Sequence, residues 1–260
     1  PPEQQVEMTG SAAPNDTAPQ IEDAPTIQSE DDRSPQVRFV TRDWATDWQR
    51  HIVPLSTLVP GGPPRDGIRS IDAPQFVSVG AAAGWLSDSE PVIVLTVDQE
   101  TRAYPLGIMI RHEIVNDVVD DVPVAVTYCP LCNAAVVFDR HVAGSVYEFG
   151  VSGLLRYSDM IMYDRTTESL WQQATGEGLV GHHAGDRLSL LPAQIVSFGT
   201  LRAQHPGAAV LSRETDLFYP GEYGVNLYAG YDQGEPWAFR GDLDPRLPAM
   251  ERVLAVSLGG

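Results

Sequence analysis

In TYCPLCNAAVVFDR (residues 127–140), the residues after the second cysteine separate two architectures. Cys129 and Cys132 are the two cysteines of the chain. A C-x-x-C pair has three physical uses: thiol–disulfide exchange, metal ligation, or closure of a small disulfide loop. The exchange use requires a helix opening at the second cysteine, because the helix N-terminus lowers the pKa of the first thiol. After Asn133 the chain instead reads AAVVF, of strand length and β-branched, and then Asp139, a turn former. The stretch is therefore expected to form a strand, a tight turn and a second strand. In such a turn the residue after the second cysteine takes positive φ, which Asn tolerates best after Gly.

The same reading extends outward. PVIVLTV (91–97), VPVAVTY (122–128), SVYEFGV (145–151), DMIMY (159–163) and AAVLS (208–212) are short β-branched or aromatic runs separated by turn residues. VVFDR (136–140) and IMYDR (161–165) share an Asp where each strand ends, as two hairpins of a meander would. Helical patterning is sparse, and its best candidates are residues 73–86 and 191–205. These signals predict an α+β, β-rich fold of mostly antiparallel short strands and hairpins with a few peripheral helices.

Charge excludes some functions. Against 35 acidic residues stand 17 basic ones, all arginine, for a formal net charge of −18. Such a surface repels phosphate backbones, so no nucleic-acid partner is expected. Without lysine the chain has neither a Schiff-base amine nor a P-loop. No apolar run reaches the roughly 20 residues of a membrane helix, so no transmembrane segment is expected. Residues 1–36 are rich in Pro, Ala, Gln and acids and poor in large apolar side chains, which predicts a disordered acidic linker preceding a single β-rich domain at 37–260. With no initiator Met, this linker is read as a tether of an extracytoplasmic protein, periplasmic, secreted or lipid-anchored. RVLAVSLGG (252–260) has the rhythm of PVIVLTVDQE (91–100), which suggests a chain truncated before a second, related half.

One cysteine pair cannot complete a structural zinc ribbon, so a metal here needs other ligands. His112, in RHEIVND (111–117), lies just upstream of the strand that delivers Cys129, and hairpin pairing would bring it to the thiols. Two thiolates and an imidazole suit Cu(I), with open-site zinc as the alternative metal. Glu113 and Asp117 are candidates to orient the imidazole, and Glu113 is the candidate general base. Met160 and Met162 share a strand face and are possible additional ligands or neighbours, and so are Trp171 and Gln172. His182 and His183 are expected on a glycine-bounded surface loop. Two further readings stay open: an extracytoplasmic thiol–disulfide oxidoreductase or redox sensor, and a scaffold or binding domain with a structural disulfide turn.

DGIRSIDAPQFVS, YPLGIMIRHEIVND, PVAVTYCPLCNAAVVFDR, FGVSGLLRYSDMIMYDRTTESLWQQATGEGLVG and YGVNLYAGYD together resemble the bacterial and archaeal domain-of-unknown-function family number 3179, over roughly residues 55–258. The resemblance implies export or lipid anchoring but no reaction. Its pattern matches His112, Glu113, Asn116, Asp117, Cys129, Pro130, Cys132, Asp164, Arg165, Trp171 and Gln172, and it does not require a histidine at 182 or 183. It departs at Leu227, where the family usually has proline. It also implies that members often continue into a second half.

Overall fold

A computed structural model describes residues 26–215, 223–237, 239, 241–251 and 253. Its strands in chain order are β1 (Leu58–Pro60), β2 (Phe76–Ser78), β3 (Pro91–Val97), β4 (Glu100–Pro105), β5 (Ile114–Val119), β6 (Val122–Cys129), β7 (Ala134–Asp139) and β8 (His141–Val142). Next come β9 (Ser145–Val146), β10 (Phe149–Arg156), β11 (Asp159–Asp164), β12 (Leu170–Gln172), β13 (Gly178–Val180), β14 (Leu190–Leu191), β15 (Ala193–Ser197) and β16 (Ala209–Leu211). Four short helices accompany them: α1 (Pro35–Val40), α2 (Val79–Ala82), α3 (Leu106–His112) and α4 (Phe198–Gln204). The fold is α+β and β-rich, and its sheets are antiparallel apart from the β4–β16 pair.

Three sheets carry the architecture, in the orders β1-β10-β11-β12-β13, β14-β7-β6-β5 and β15-β3-β4-β16-β2. The β5–β6–β7 meander is the middle layer, and side-chain alternation along its strands builds a core on each face. Val124, Val126 and Tyr128 join Ile93, Leu95, Tyr104 and Met109 on one face. Ala125 and Cys129 join Phe149, Met160, Met162 and Trp171 on the other. A strand buried on both faces cannot alternate apolar with polar, which is why VPVAVTY is continuously apolar up to Thr127.

Both expected helices are shorter than their patterning suggests, for the same reason. Phe76–Ser78 and Ala193–Ser197 pair as edge strands β2 and β15, and the helix begins only at the following serine cap. Ser78 accepts from the Ala81 amide and Ser197 from the Thr200 amide. The two segments are an internal repeat, Gln-x-Val-Ser-x-Gly at 75–80 and 194–199. Val77 pairs with Val210, and Val196 with Val92, so each copy's edge strand adds to the strand that follows the other copy's helix.

The folded part starts upstream of residue 37. Gln28 bridges to His51, Asp32 accepts from the Leu55 amide and from Ser56, and Asp31 binds Arg33 and Arg38. Asp31 and Asp32 are thus engaged by local partners, a use that composition alone does not show. Residues 1–25 of the expected linker, and the C-terminal echo at 252 and 254–260, lie outside the described residues. No helix among the described residues is long and apolar enough to cross a membrane.

Candidate metal centre and the cavity beside it

The turn after β6 closes as its sequence requires. Asn133 has φ 49°, its amide bonds the Pro130 carbonyl, and its Oδ1 accepts from the Tyr128 hydroxyl at 3.0 Å. β7 then runs back along β6 with Ala134 opposite Cys129. The two thiols are free, with Sγ atoms 3.1 Å apart. Cys129 is buried on the β12 side of the middle sheet. Cys132 is exposed at the rim, but its Sγ turns inward.

A second turn completes the group. β10 and β11 are joined by a two-residue hairpin at Tyr157 and Ser158, with φ of 53° and 67°. Two successive positive-φ positions match a primed hairpin, yet neither residue is the Gly or Asn such turns prefer. The turn aims the Ser158 carbonyl at Cys132 Sγ (3.5 Å) and sets Asp159 Oδ1 3.2 Å from the same sulfur. Asp159 Oδ2 accepts from the Gln172 amide side chain and from the Ala174 backbone at 3.0 Å. Ligand atoms of Cys129, Cys132 and Asp159 lie within 4.8 Å of one another. With Cys129 the main cause, then burial and Asp159, the Cys132 thiol is pushed well above the ordinary thiol range.

Asp159 was not among the residues expected at the site. Its signal was the hairpin geometry of LLRYSDMI, in which Asp159 pairs with Arg156 across a two-residue loop. Gln172 and the methionines do adjoin the group: Gln172 holds Asp159, and Met160 and Met162 pack in the apolar cluster with Cys129. Trp171 belongs to that cluster and donates to Asp164 Oδ2 at 3.1 Å.

His112 does not join the group. The β5–β6 register pairs Ile114 with Thr127, and continued it would set His112 opposite Cys129. The ladder stops one step earlier, where the Tyr128 amide bonds the Glu113 carbonyl. There α3 ends, Glu113 takes φ 59°, and the imidazole leaves the strand direction. His112 Nδ1 bonds the Arg69 carbonyl and Nε2 the Tyr223 hydroxyl, both at 2.6 Å. Burial pushes its pKa down.

Asp117 does not orient this imidazole either. On β5, Ile114 and Asn116 face β10, while Val115 and Asp117 face β4. Asp117 binds Arg102 at 2.6 Å and the Tyr104 hydroxyl at 2.7 Å. His183 also differs from expectation. It is buried against Trp171 and bonded to Asp186, with only His182 exposed.

Glu113 has its own setting. It is 6% exposed, and its carboxylate lines a cavity of about 470 Å³. The carboxylate accepts no hydrogen bond from any described side chain or amide, and desolvation raises its pKa to about 8. Leu131, Tyr228 and Tyr231 form a wall shared with a groove of about 630 Å³ that Cys132 faces. Tyr228 stands between the two, its phenol pushed up to about 12 by burial and by the nearby Glu113 and Cys129.

No curated protein and no solved structure matches the chain. The model of one family, described as "Protein of unknown function (DUF3179)", matches residues 65–260. A match over that much of the chain, with the cysteine turn and its Asp-bearing hairpin inside it, means that the chain belongs to the DUF3179 family.

Proposed function

We propose that the protein is an extracytoplasmic metal-site protein whose ion is held by Cys129, Cys132 and Asp159. The observation that carries this is the convergence of two thiols and a carboxylate, three acidic groups that repel one another when ionised, with no cationic side chain among the group. A divalent cation relieves that repulsion and replaces the proton on Cys132. A carboxylate in place of imidazole moves the preference from copper toward zinc, since zinc accepts mixed sulfur and oxygen ligands while Cu(I) favours soft ones. Tetrahedral zinc with Zn–S bonds near 2.3 Å spaces its sulfurs about 3.8 Å apart, so binding widens the 3.1 Å pair only slightly. Gln172 and the Ala174 amide hold the carboxylate in place, as outer partners of a metal ligand do.

Thiol–disulfide catalysis is less well supported. The residues after Cys132 form β7, not a helix, and the outer thiol is held protonated instead of activated.

The test is reconstitution of the full chain with Zn(II), Co(II) or Cu(I), followed by desalting and metal analysis. One zinc per chain, thiolate-to-cobalt charge-transfer absorption, and loss of both in Cys129→Ser are the expected results. Asp159→Asn is expected to weaken zinc binding by about tenfold or more. No retained metal in the wild type would sink the proposal. Retention unaffected by Asp159→Asn but lost in His112→Ala would return the third position to the histidine. Fractionation of the source cells, with the chain found in the cytoplasm, would remove the extracytoplasmic part.

A further inference from the structure

We propose that the cavity beside the cysteine group binds a small organic cation, an amine or quaternary ammonium with an apolar body. Its floor is aliphatic, formed by Ile68, Val151, Leu155 and Met160. Tyr228, Tyr231 and Trp237 add aromatic walls, and the ionisable side chains of opposite type to an amine that line it, Glu113 and Glu235, are both carboxylic acids. Three aromatic rings and a carboxylate around an apolar space are the chemistry that recognises alkylammonium ions, through ring quadrupoles and a counter-charge.

Glu113 supplies the second observation. Its carboxyl is buried, faces the cavity and is bonded by no described residue, which is costly for a charge and tolerable if a ligand completes it. The backbone there is also strained, at φ 59° in a non-glycine residue, held by the amide bond to Met109 and the carbonyl bond from Tyr128. Such strain is maintained where a side chain must point in one direction. Trp237 is tied to the neighbouring walls: its carbonyl accepts from the Ser158 hydroxyl and its amide donates to the Tyr231 hydroxyl at 2.7 Å. At about 470 Å³ the space suits a ligand of small-molecule size. An anion is disfavoured by both carboxylates and by the net charge of −18.

This inference does not depend on the metal. Calorimetric titration of the full chain, zinc-loaded and chelator-treated, would compare choline with neohexyl alcohol, its uncharged carbon isostere. Choline is expected to bind both forms and to exceed the alcohol by about tenfold or more. Glu113→Gln should abolish that preference, and Trp237→Ala should weaken choline binding with the fold intact by circular dichroism. Equal binding of the two probes, or an undiminished preference in Glu113→Gln, overturns the proposal. If Glu113→Gln does not fold, Ile68→Trp fills the cavity from its loop side, and choline binding retained in that variant overturns it equally.

Discussion

Glu113→Gln tests the central electrostatic claim without any ligand. The wild-type carboxyl titrates at about 8 in the fold because it is desolvated, whereas an ordinary glutamate titrates near 4.5. The fold therefore holds this proton more tightly than the unfolded chain does. Below about pH 4.5 the group is protonated in both states and costs nothing. As pH rises toward 8 the unfolded chain ionises first, and stability falls by about 1.4 kcal/mol per pH unit. Above pH 8 the loss is complete, about 5 kcal/mol in all; the 6% exposure leaves little solvent to screen it. Glutamine keeps the shape and cannot ionise. Urea denaturation of both proteins from pH 5 to pH 9 should show the wild type losing several kcal/mol relative to the variant across that span. Subtraction removes groups that titrate alike in both proteins, and Tyr228, which the carboxyl does influence, titrates at about 12, outside this span. A difference between the two proteins that stays constant within about 1 kcal/mol from pH 5 to pH 9 would refute a buried, unpartnered carboxyl.

The same geometry has other measurable consequences. Asn133→Gly should leave stability within a few tenths of a kcal/mol, and Asn133→Val should cost about 1–2 kcal/mol by thermal melt, since φ 49° excludes a β-branched residue. Asn116→Ala should cost about 2–4 kcal/mol in chemical denaturation: its side chain bonds the Phe149 amide and carbonyl as well as Asp72, and loss strands the two Phe149 groups inside. Ser78→Ala and Ser197→Ala should each cost about 1 kcal/mol, the same within error if the two segments are copies of one unit. Metal-free protein should react slowly with iodoacetamide at pH 8 and faster as pH rises, because the Cys132 thiol titrates above its ordinary range; rapid alkylation at pH 7 would contradict the crowding of Cys129 and Asp159 around it.

Local chemistry in the sequence determined the strand–turn–strand at 127–140, the positive φ at Asn133, the Asp-terminated hairpins and the β-rich class, because each depends on a few neighbouring residues. Alternation along β6 also sets which face Cys129 occupies once burial on both sides is known. Tertiary structure alone decided the third member of the cysteine group. His112 is one register step from Cys129 in sequence logic, and a single positive-φ residue at the end of α3 takes it away. Asp159 comes in from a hairpin 27 residues beyond Cys132, in a different sheet, and no spacing rule connects the two. The partners of Asp117 and Gln172 and the cavity setting of Glu113 were likewise hidden, since each depends on which layer packs against a strand face. The turn fixes the direction of the thiols; the packing of one sheet on another fixes what they meet.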